Sequence, residues 1–101
     1  MQRRHRQIQP TDLKAKAIGV VVRELRDQVG LSQERLSADC GFDRTYISRV
    51  ERGIINPTIS RLWRIADILG SPLSEMTKRM EVWILRQGRR AKRPNRDSQR
   101  R

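Results

Sequence analysis

The pattern of apolar and polar positions predicts five helices, of which the second and third organise the chain. The segments 33–40 and 44–52 each carry two apolar residues three or four positions apart, which places each pair on one helix face. These pairs are Leu36 with Cys40 and Ile47 with Val50. Gly41 lies between the segments, where glycine adopts at least cost the left-handed conformation that ends many helices.

Polar residues stand at the start of both central helices. Ser32 and Asp43 each precede a predicted helix by one residue, and their side chains can accept hydrogen bonds from its free amides. Two capped short helices about a glycine turn form a helix-turn-helix plan, in which the second helix enters the major groove of DNA.

One further helix is predicted before this motif and two after it. Thr11 and Asp12 can cap the first of these helices, which should run to about Val29. Thr58 is expected to cap the fourth helix, to about Leu69, and Ser71 the fifth, to about Gln87. Gly30 and Gly70 follow the first and the fourth helix. On the fourth helix, Trp63 and Ile68 lie off the apolar stripe, so they either cover the edge of the core or contact a partner.

The fifth helix carries more apolar surface than one small core needs. Val82 and Leu85 widen an apolar face that has residues every three or four positions, namely Met76, Met80, Trp83 and Ile84. Core packing is the simplest explanation of such a face. The excess favours a homodimer interface formed by these four residues, because exposed apolar area of this kind normally marks an interface.

Charge divides the 101 residues into a domain and two tails. The net charge is +12, and residues 86–101 alone carry eight Lys or Arg and one acid. We expect a flexible basic arm at 1–11, a helix-turn-helix domain at 12–87 and a disordered basic tail at 88–101. Such a balance suits a polyanion, with nucleic acid the first candidate and an anionic membrane surface the second.

Several classes of function lack the residues they need. There is no phosphate-binding glycine loop, no Cys/His cluster and only one histidine, so we predict neither an enzyme nor a metal or other cofactor. A single cysteine excludes an internal disulfide, and no apolar run approaches a membrane span or a secretory signal. We expect a cytoplasmic protein that binds no membrane, and no small-molecule site is evident.

A family resemblance rests on residues spread over about 17–77. They are Leu31-Ser32-Gln33-Glu34, Gly41, Tyr46-Ile47-Ser48-Arg49, Glu51-Arg52-Gly53, Pro57, and Leu62 with Ile65-Ala66 and Leu69-Gly70. In this order and spacing the chain resembles the lambda-repressor-like, or Xre, helix-turn-helix proteins, whose all-α fold has four or five helices. The string from Asp43 to Gly53 also looks like the controller proteins of restriction–modification systems.

The resemblance implies an ion pair that the residue pattern alone does not show. Arg26 matches a first-helix arginine that pairs in the family with a glutamate at the position of Glu51. The sequence departs from the family at Ser37, where alanine is usual, and in the longer apolar helix after Pro72. Ser37 is expected to face the second helix and to bond back to the carbonyl of Gln33.

The predicted recognition helix and its neighbours supply the candidate DNA contacts. Base contacts are predicted, from the start and outer face of that helix, for Arg44, Thr45 and Arg49, with Tyr46 and Ser48 at the margin. Helix starts and bordering cations are predicted to hold phosphates. The phosphate set comprises Ser32, Gln33, Arg52, Asn56, Thr58 and Arg61.

We therefore expect a transcriptional regulator that binds double-stranded DNA as a homodimer on an inverted repeat. Two alternatives belong to other classes. One is an antitoxin-like protein-interaction module in which DNA binding is secondary, and the other is a basic protein that binds RNA or membranes without specificity.

Overall fold

The computed structural model describes residues 12–92, apart from the side chains of 89–92, and folds them into five α-helices joined by short turns. The helices are α1 (Leu13–Val29), α2 (Gln33–Cys40), α3 (Tyr46–Glu51), α4 (Ile59–Leu69) and α5 (Leu73–Lys92). The described residues contain no strand. The all-α, five-helix prediction is confirmed, while the arm predicted at 1–11 lies outside the described residues.

Three helix starts are capped as the sequence predicts. The Asp12 carboxylate accepts from the amides of Lys14 and Ala15, Ser32 Oγ accepts from Arg35, and Thr58 Oγ1 accepts from Arg61. These bonds satisfy amides that the first helical turn leaves without partners. At the other end of α2, Gly41 takes φ 75°, in the left-handed region, and its amide donates to the Ala38 carbonyl.

Helix α3 is shorter than the sequence predicts. It begins at Tyr46 rather than Arg44, and it ends at Glu51 rather than Arg52. The physical reason for the later start is Asp43, whose carbonyl accepts from the Tyr46 amide at 2.9 Å and whose carboxylate accepts from the Thr45 amide at 3.1 Å. Asp43 therefore closes a tight turn ahead of the helix instead of capping the helix itself.

Helix α5 is longer than the sequence predicts. It continues five residues past the expected end at Gln87 and reaches Lys92, so the predicted disordered tail does not begin at residue 88. Gly88 lies within the helix, because the residues that follow it favour helix and stabilise the extra turn. The rest of the tail, 93–101, lies outside the described residues.

The core lies between α1 and the other helices. Its largest fully buried side chains include Val21 on α1, Leu36 on α2, Ile47 on α3, Ile65 on α4 and Met76 on α5. Every helix thus contributes to one core, which fixes α3 from behind and leaves its outer side free.

The core also corrects part of the predicted dimer interface. Met76 is fully buried and Met80 is 9% exposed within the single chain, so neither side chain is available to a second copy. Both fill the space where α5 packs beside α1, and Trp83 and Ile84 are half-buried against the same cluster. Exposed apolar side chains remain on α5 at Val82 and Leu85.

A glycine sets the distance between α1 and α3. A Cβ on Gly19 would lie 2.6 Å from the carbonyl oxygen of Glu51 and 2.7 Å from that of Val50. Because both are backbone atoms of a packed helix, they cannot rotate away as a side-chain end would. Any larger residue here would displace the recognition helix from α1.

Among the helices of residues 12–92, none has the length and apolar character needed to cross a membrane.

Candidate nucleic-acid interface

The outer side of α3 and of the turn before it forms a polar, accessible surface. Arg44 and Thr45 are exposed in the turn, and Ser48 and Arg49 are half-exposed on the helix. Ile47 and Val50 point the other way and are fully buried. The structure thus places four of the five predicted base-contacting residues on one accessible surface.

Tyr46, the fifth, is placed differently. Its side chain is 8% exposed, because its ring packs against Phe42 with centroids 4.7 Å apart. The Arg61 guanidinium lies over the same ring, 4.7 Å from its centroid. Tyr46 therefore offers less accessible surface than the other four residues, and its ring supports the turn before α3.

Arg61 belongs to a stack of two cations on two aromatic rings. Its guanidinium also lies 4.9 Å from the centroid of Phe42, and that of Arg64 lies 5.9 Å from it. Arg64 Nη1 donates to the carbonyl of Cys40 at 3.0 Å, where α2 ends. These contacts hold the first turns of α4 against the turn between α2 and α3, and they orient Arg61 beside the first residue of α3.

The opposite end of α3 is held by a buried ion pair. Arg26 donates from Nε to Glu51 Oε2 at 2.6 Å and from Nη2 to Glu51 Oε1 at 3.0 Å. The two side chains are 11% and 2% exposed. Arg26 Nη1 donates to the Leu31 carbonyl at 2.8 Å, so the guanidinium joins α1, the loop before α2, and α3. The hydrogen bonds to Glu51 and its negative charge raise the pKa of Arg26.

Gln33 connects that ion pair to the start of α2. Its Nε2 donates to Glu51 Oε1 at 2.8 Å, while the residue stays half-exposed. A side-chain amide carries two N–H donors, so the second remains for a group outside the protein. Ser32, one residue earlier, uses its Oγ to accept from the Arg35 amide.

Gln33, the first residue of α2, therefore contacts the last residue of α3, and the Arg61 side chain of α4 contacts the first residue of α3. Helix α3 is thus contacted at one end by the first residue of α2 and at the other by a cationic side chain of α4. The other predicted phosphate-contacting residues are exposed: Arg52 follows α3, while Asn56 and Thr58 lie in the loop before α4.

A carboxylate lies within this otherwise cationic surface. Asp43 Oδ2 accepts from the Thr45 hydroxyl at 2.6 Å and from the Thr45 amide at 3.1 Å. It also lies 3.5 Å from Arg49 Nη2. The bond from the Thr45 hydroxyl, followed by that from its amide, lowers the pKa of Asp43, so this group is ionised at neutral pH.

The contacts of Ser37 give a physical reason for serine at this position, where the family usually has alanine. It is fully buried where α2 meets α3, and its Oγ accepts from the Ile47 amide at 3.2 Å. The partner shown is thus α3 rather than the expected carbonyl of Gln33. A free amide of the first turn of α3 is satisfied by a side chain of α2.

No group of three or more His, Cys, Asp or Glu that could hold a metal occurs within residues 12–92. Cys40 is buried, and burial raises the pKa of its thiol to about 11. The thiol is therefore protonated at neutral pH and is a packing residue.

Sequence reasoning missed four contributors to this surface, namely Gly19, Phe42, Arg64 and the turn-closing role of Asp43. Phe42 and Tyr46 lie four positions apart, and Arg61 and Arg64 three, spacings that could have suggested a stack. Gly19 gave no such signal, because glycine is required there by close contact with backbone atoms of Val50 and Glu51, which are 31 and 32 positions away in the sequence.

Comparisons with known proteins agree with this geometry. The family model described as "Helix-turn-helix" matches residues 22–76. The chain belongs to the lambda-repressor-like, or Xre, helix-turn-helix family of DNA-binding transcriptional regulators. This is a non-enzymatic class, and the family resemblance predicted from the sequence is confirmed.

Individual relatives make the similarity more specific. The chain is 42% identical over 55 residues to the uncharacterised HTH-type transcriptional regulator y4dJ of Sinorhizobium fredii, covering 54% of this chain and 71% of that protein. It is also 42% identical over 59 residues to a hypothetical transcription factor of Neisseria meningitidis. That match covers 58% of this chain and 55% of the relative.

Restriction–modification controller proteins are among the similar solved structures. C.AhdI from Aeromonas hydrophila is 37% identical, with a TM-score of 0.59 over 61% of this chain and 94% of that one. C.Esp1396I, solved as a tetramer with its natural 35-base-pair operator, is 30% identical, with a TM-score of 0.65 over 71% of this chain and 95% of that one.

Proposed function

We propose that this protein binds double-stranded DNA in a sequence-specific manner, as a homodimer on an inverted-repeat operator. The observation that carries the proposal is the accessible surface formed by Arg44 and Thr45 in the turn and by Ser48 and Arg49 on α3. Helix α3 is held from behind by the core and at its ends by Arg26 and Arg61. An arginine can donate two hydrogen bonds to guanine, and a threonine methyl can contact that of thymine.

The phosphate contacts of this proposal flank the base contacts. Gln33 would use its second amide proton at one end of α3, and Arg61 would use its stacked guanidinium at the other. Ser32, Arg52, Asn56 and Thr58 complete the set. Such contacts fix the position of the helix on the duplex but do not select a sequence.

The homodimer is proposed to form through the second half of α5. Val82 and Leu85 are 39% and 58% exposed, and Trp83 and Ile84 are half-buried beside them. A solved relative, C.Esp1396I, is described as a tetramer on its operator, which supports assembly of more than one copy on DNA. Two copies would present two recognition helices, so the operator should carry two related half-sites.

The decisive experiment is selection of bound sequences from random duplexes. A palindromic consensus is expected, and Arg44→Ala and Arg49→Ala should each lose about 1–3 kcal/mol of discrimination at one base pair of each half-site. Arg23→Ala is the matched control, because it removes the same charge from an exposed residue of α1, outside the proposed DNA surface and the proposed dimer interface. The assignment of the base contacts is wrong if both recognition-surface variants keep the wild-type preference.

The antitoxin-like alternative makes a different prediction in the same experiment. Exposed apolar side chains on α4, Ile59 at 59% and Trp63 at 54%, favour a protein partner for this helix. If that partner is the main ligand, selection yields no consensus, and Trp63→Glu abolishes partner binding while leaving DNA binding unchanged.

A further inference from the structure

An exposed carboxylate in the proposed DNA surface needs an explanation. The side chain of Asp43 is 64% exposed, and it lies beside Arg44 in sequence and Arg49 in space. DNA carries a dense line of negative phosphates, so a carboxylate at this position opposes binding to every sequence. Because Asp43 weakens binding to DNA of every sequence, it is a candidate for a residue that controls sequence selectivity.

One oxygen of Asp43 makes all three of its side-chain contacts. Oδ2 accepts from the Thr45 amide at 3.1 Å, accepts from Thr45 Oγ1 at 2.6 Å, and lies 3.5 Å from Arg49 Nη2. These bonds connect the turn to both Thr45 and Arg49, which lie on the proposed base-contacting surface.

The contact with Thr45 fixes what that side chain presents. A threonine hydroxyl has one proton, and here Asp43 accepts it. The hydroxyl can then only accept a hydrogen bond from DNA, so it cannot donate to a phosphate. The methyl group remains for the apolar contact that distinguishes thymine from the other bases.

The contact with Arg49 limits its attraction to phosphates. The ion pair is long and exposed, with the two side chains 39% and 64% accessible, so it adds little to folding stability. Its negative charge nevertheless offsets part of the positive charge of the guanidinium. Arg49 then gains less from a phosphate, which every sequence provides, and relatively more from a bidentate contact with guanine.

We infer that Asp43 is a positioning residue that determines sequence selectivity by directing Thr45 and Arg49 towards bases and away from phosphates. The inference rests on the proposed function, because it requires those two residues to contact bases.

The test compares wild type with Asp43→Asn on two duplexes of equal length, the selected operator and a scrambled sequence, across a salt series. Asparagine keeps an acceptor oxygen for the Thr45 amide but lacks the charge. We expect the variant to bind the scrambled duplex more tightly and its preference for the operator to fall about tenfold, the order of one bidentate base contact. The slope of log K against log salt should steepen by about 0.9, as expected for one additional phosphate contact.

Two controls separate position from charge and from folding. Glu75→Gln removes the same charge from α5, where Glu75 pairs with Arg79, and should leave the preference unchanged. Asp43→Ser repeats the test with a residue that also suits the start of a turn. Thermal unfolding of each variant shows whether the domain is intact.

A double variant distinguishes positioning from direct contact. If Asp43 acts through Arg49, then Asp43→Asn in an Arg49→Ala background lowers the preference by much less than it does in wild type. Full additivity both there and in a Thr45→Ala background overturns the inference, since the carboxylate then acts through neither residue. An unchanged preference in Asp43→Asn and Asp43→Ser also overturns it. If the wild-type protein itself shows no preference for any DNA sequence, the proposed function is refuted. That result is obtained from wild type alone, so it is distinguishable from failure of the inference about Asp43.

Discussion

Two opposite charges lie almost out of contact with water where α1 meets α3. Arg26 and Glu51 are 11% and 2% exposed and share two hydrogen bonds. Either charge alone at this depth would lose its hydration without compensation, so the pair makes each residue dependent on the other.

We predict that Glu51→Ala lowers the free energy of unfolding by about 3–5 kcal/mol, because it leaves the Arg26 guanidinium buried without its partner. Urea denaturation measures the change. Asp39→Ala is the control, since Asp39 pairs with Arg35 at 3.0 Å while that arginine is 65% exposed. This control should lose less than about 1 kcal/mol. Equal losses in the two variants would contradict the special role of the buried pair.

At the scale of the elements, recognition helix α3 is short and depends on its neighbours for its position. Six residues are too few to form a stable helix alone, and its ends are held by Gln33 on α2 and by Arg61 on α4. Its separation from α1 depends on the absence of a side chain at Gly19.

Gly19→Ala is therefore expected to destabilise the domain by about 1–3 kcal/mol, since its Cβ would clash with backbone carbonyls of α3. Thermal or urea unfolding gives the magnitude, and operator binding should weaken in the same variant because α3 must shift.

Gly88→Ala provides the matched comparison. It lies inside helix α5 with nothing within 4 Å of the position that a Cβ would occupy. This substitution should increase stability by about 0.5–1 kcal/mol, as expected for glycine replaced in a helix interior. If Gly19→Ala were equally tolerated, the close approach of α1 and α3 would not be what fixes the recognition helix.

At the scale of the whole molecule, the described residues form one core within a single chain, and their exposed large apolar side chains lie on α1, α4 and α5. Met76 and Met80 belong to that core, whereas Leu85 is 58% exposed. Assembly and folding can therefore be tested separately, because a surface residue can be changed without opening the core.

Leu85→Glu is predicted to produce a folded monomer, because it places a charge in the proposed interface without touching the core. Sedimentation velocity measures the assembly state, and circular dichroism measures helix content. Trp63→Glu on α4 is the comparison, with a side chain 54% exposed. If that variant is the monomer and Leu85→Glu still dimerises, the interface lies on α4 instead.

The local pattern of the sequence determined the helices and most of their ends. The spacing of apolar residues and helix capping both depend on residues close together in the sequence. Ser32 and Thr58 could therefore be assigned as helix caps, and Gly41 as a helix end, without a structure. The exposed position of Arg44 and Arg49 also followed from the spacing of Ile47 and Val50. The error at the start of α3 arose because Asp43 can form a turn as readily as a cap.

Contacts between distant residues were decided only by the tertiary structure. The sequence showed an apolar face on α5, but burial assigned Met76 to the core and left Leu85 outside. Composition showed many arginines but not their partners. Packing placed Arg61 on two aromatic rings and Arg26 on a buried carboxylate, so the two residues have different roles. A side chain's environment depends on residues brought together from other helices, and spacing along the chain does not contain that information.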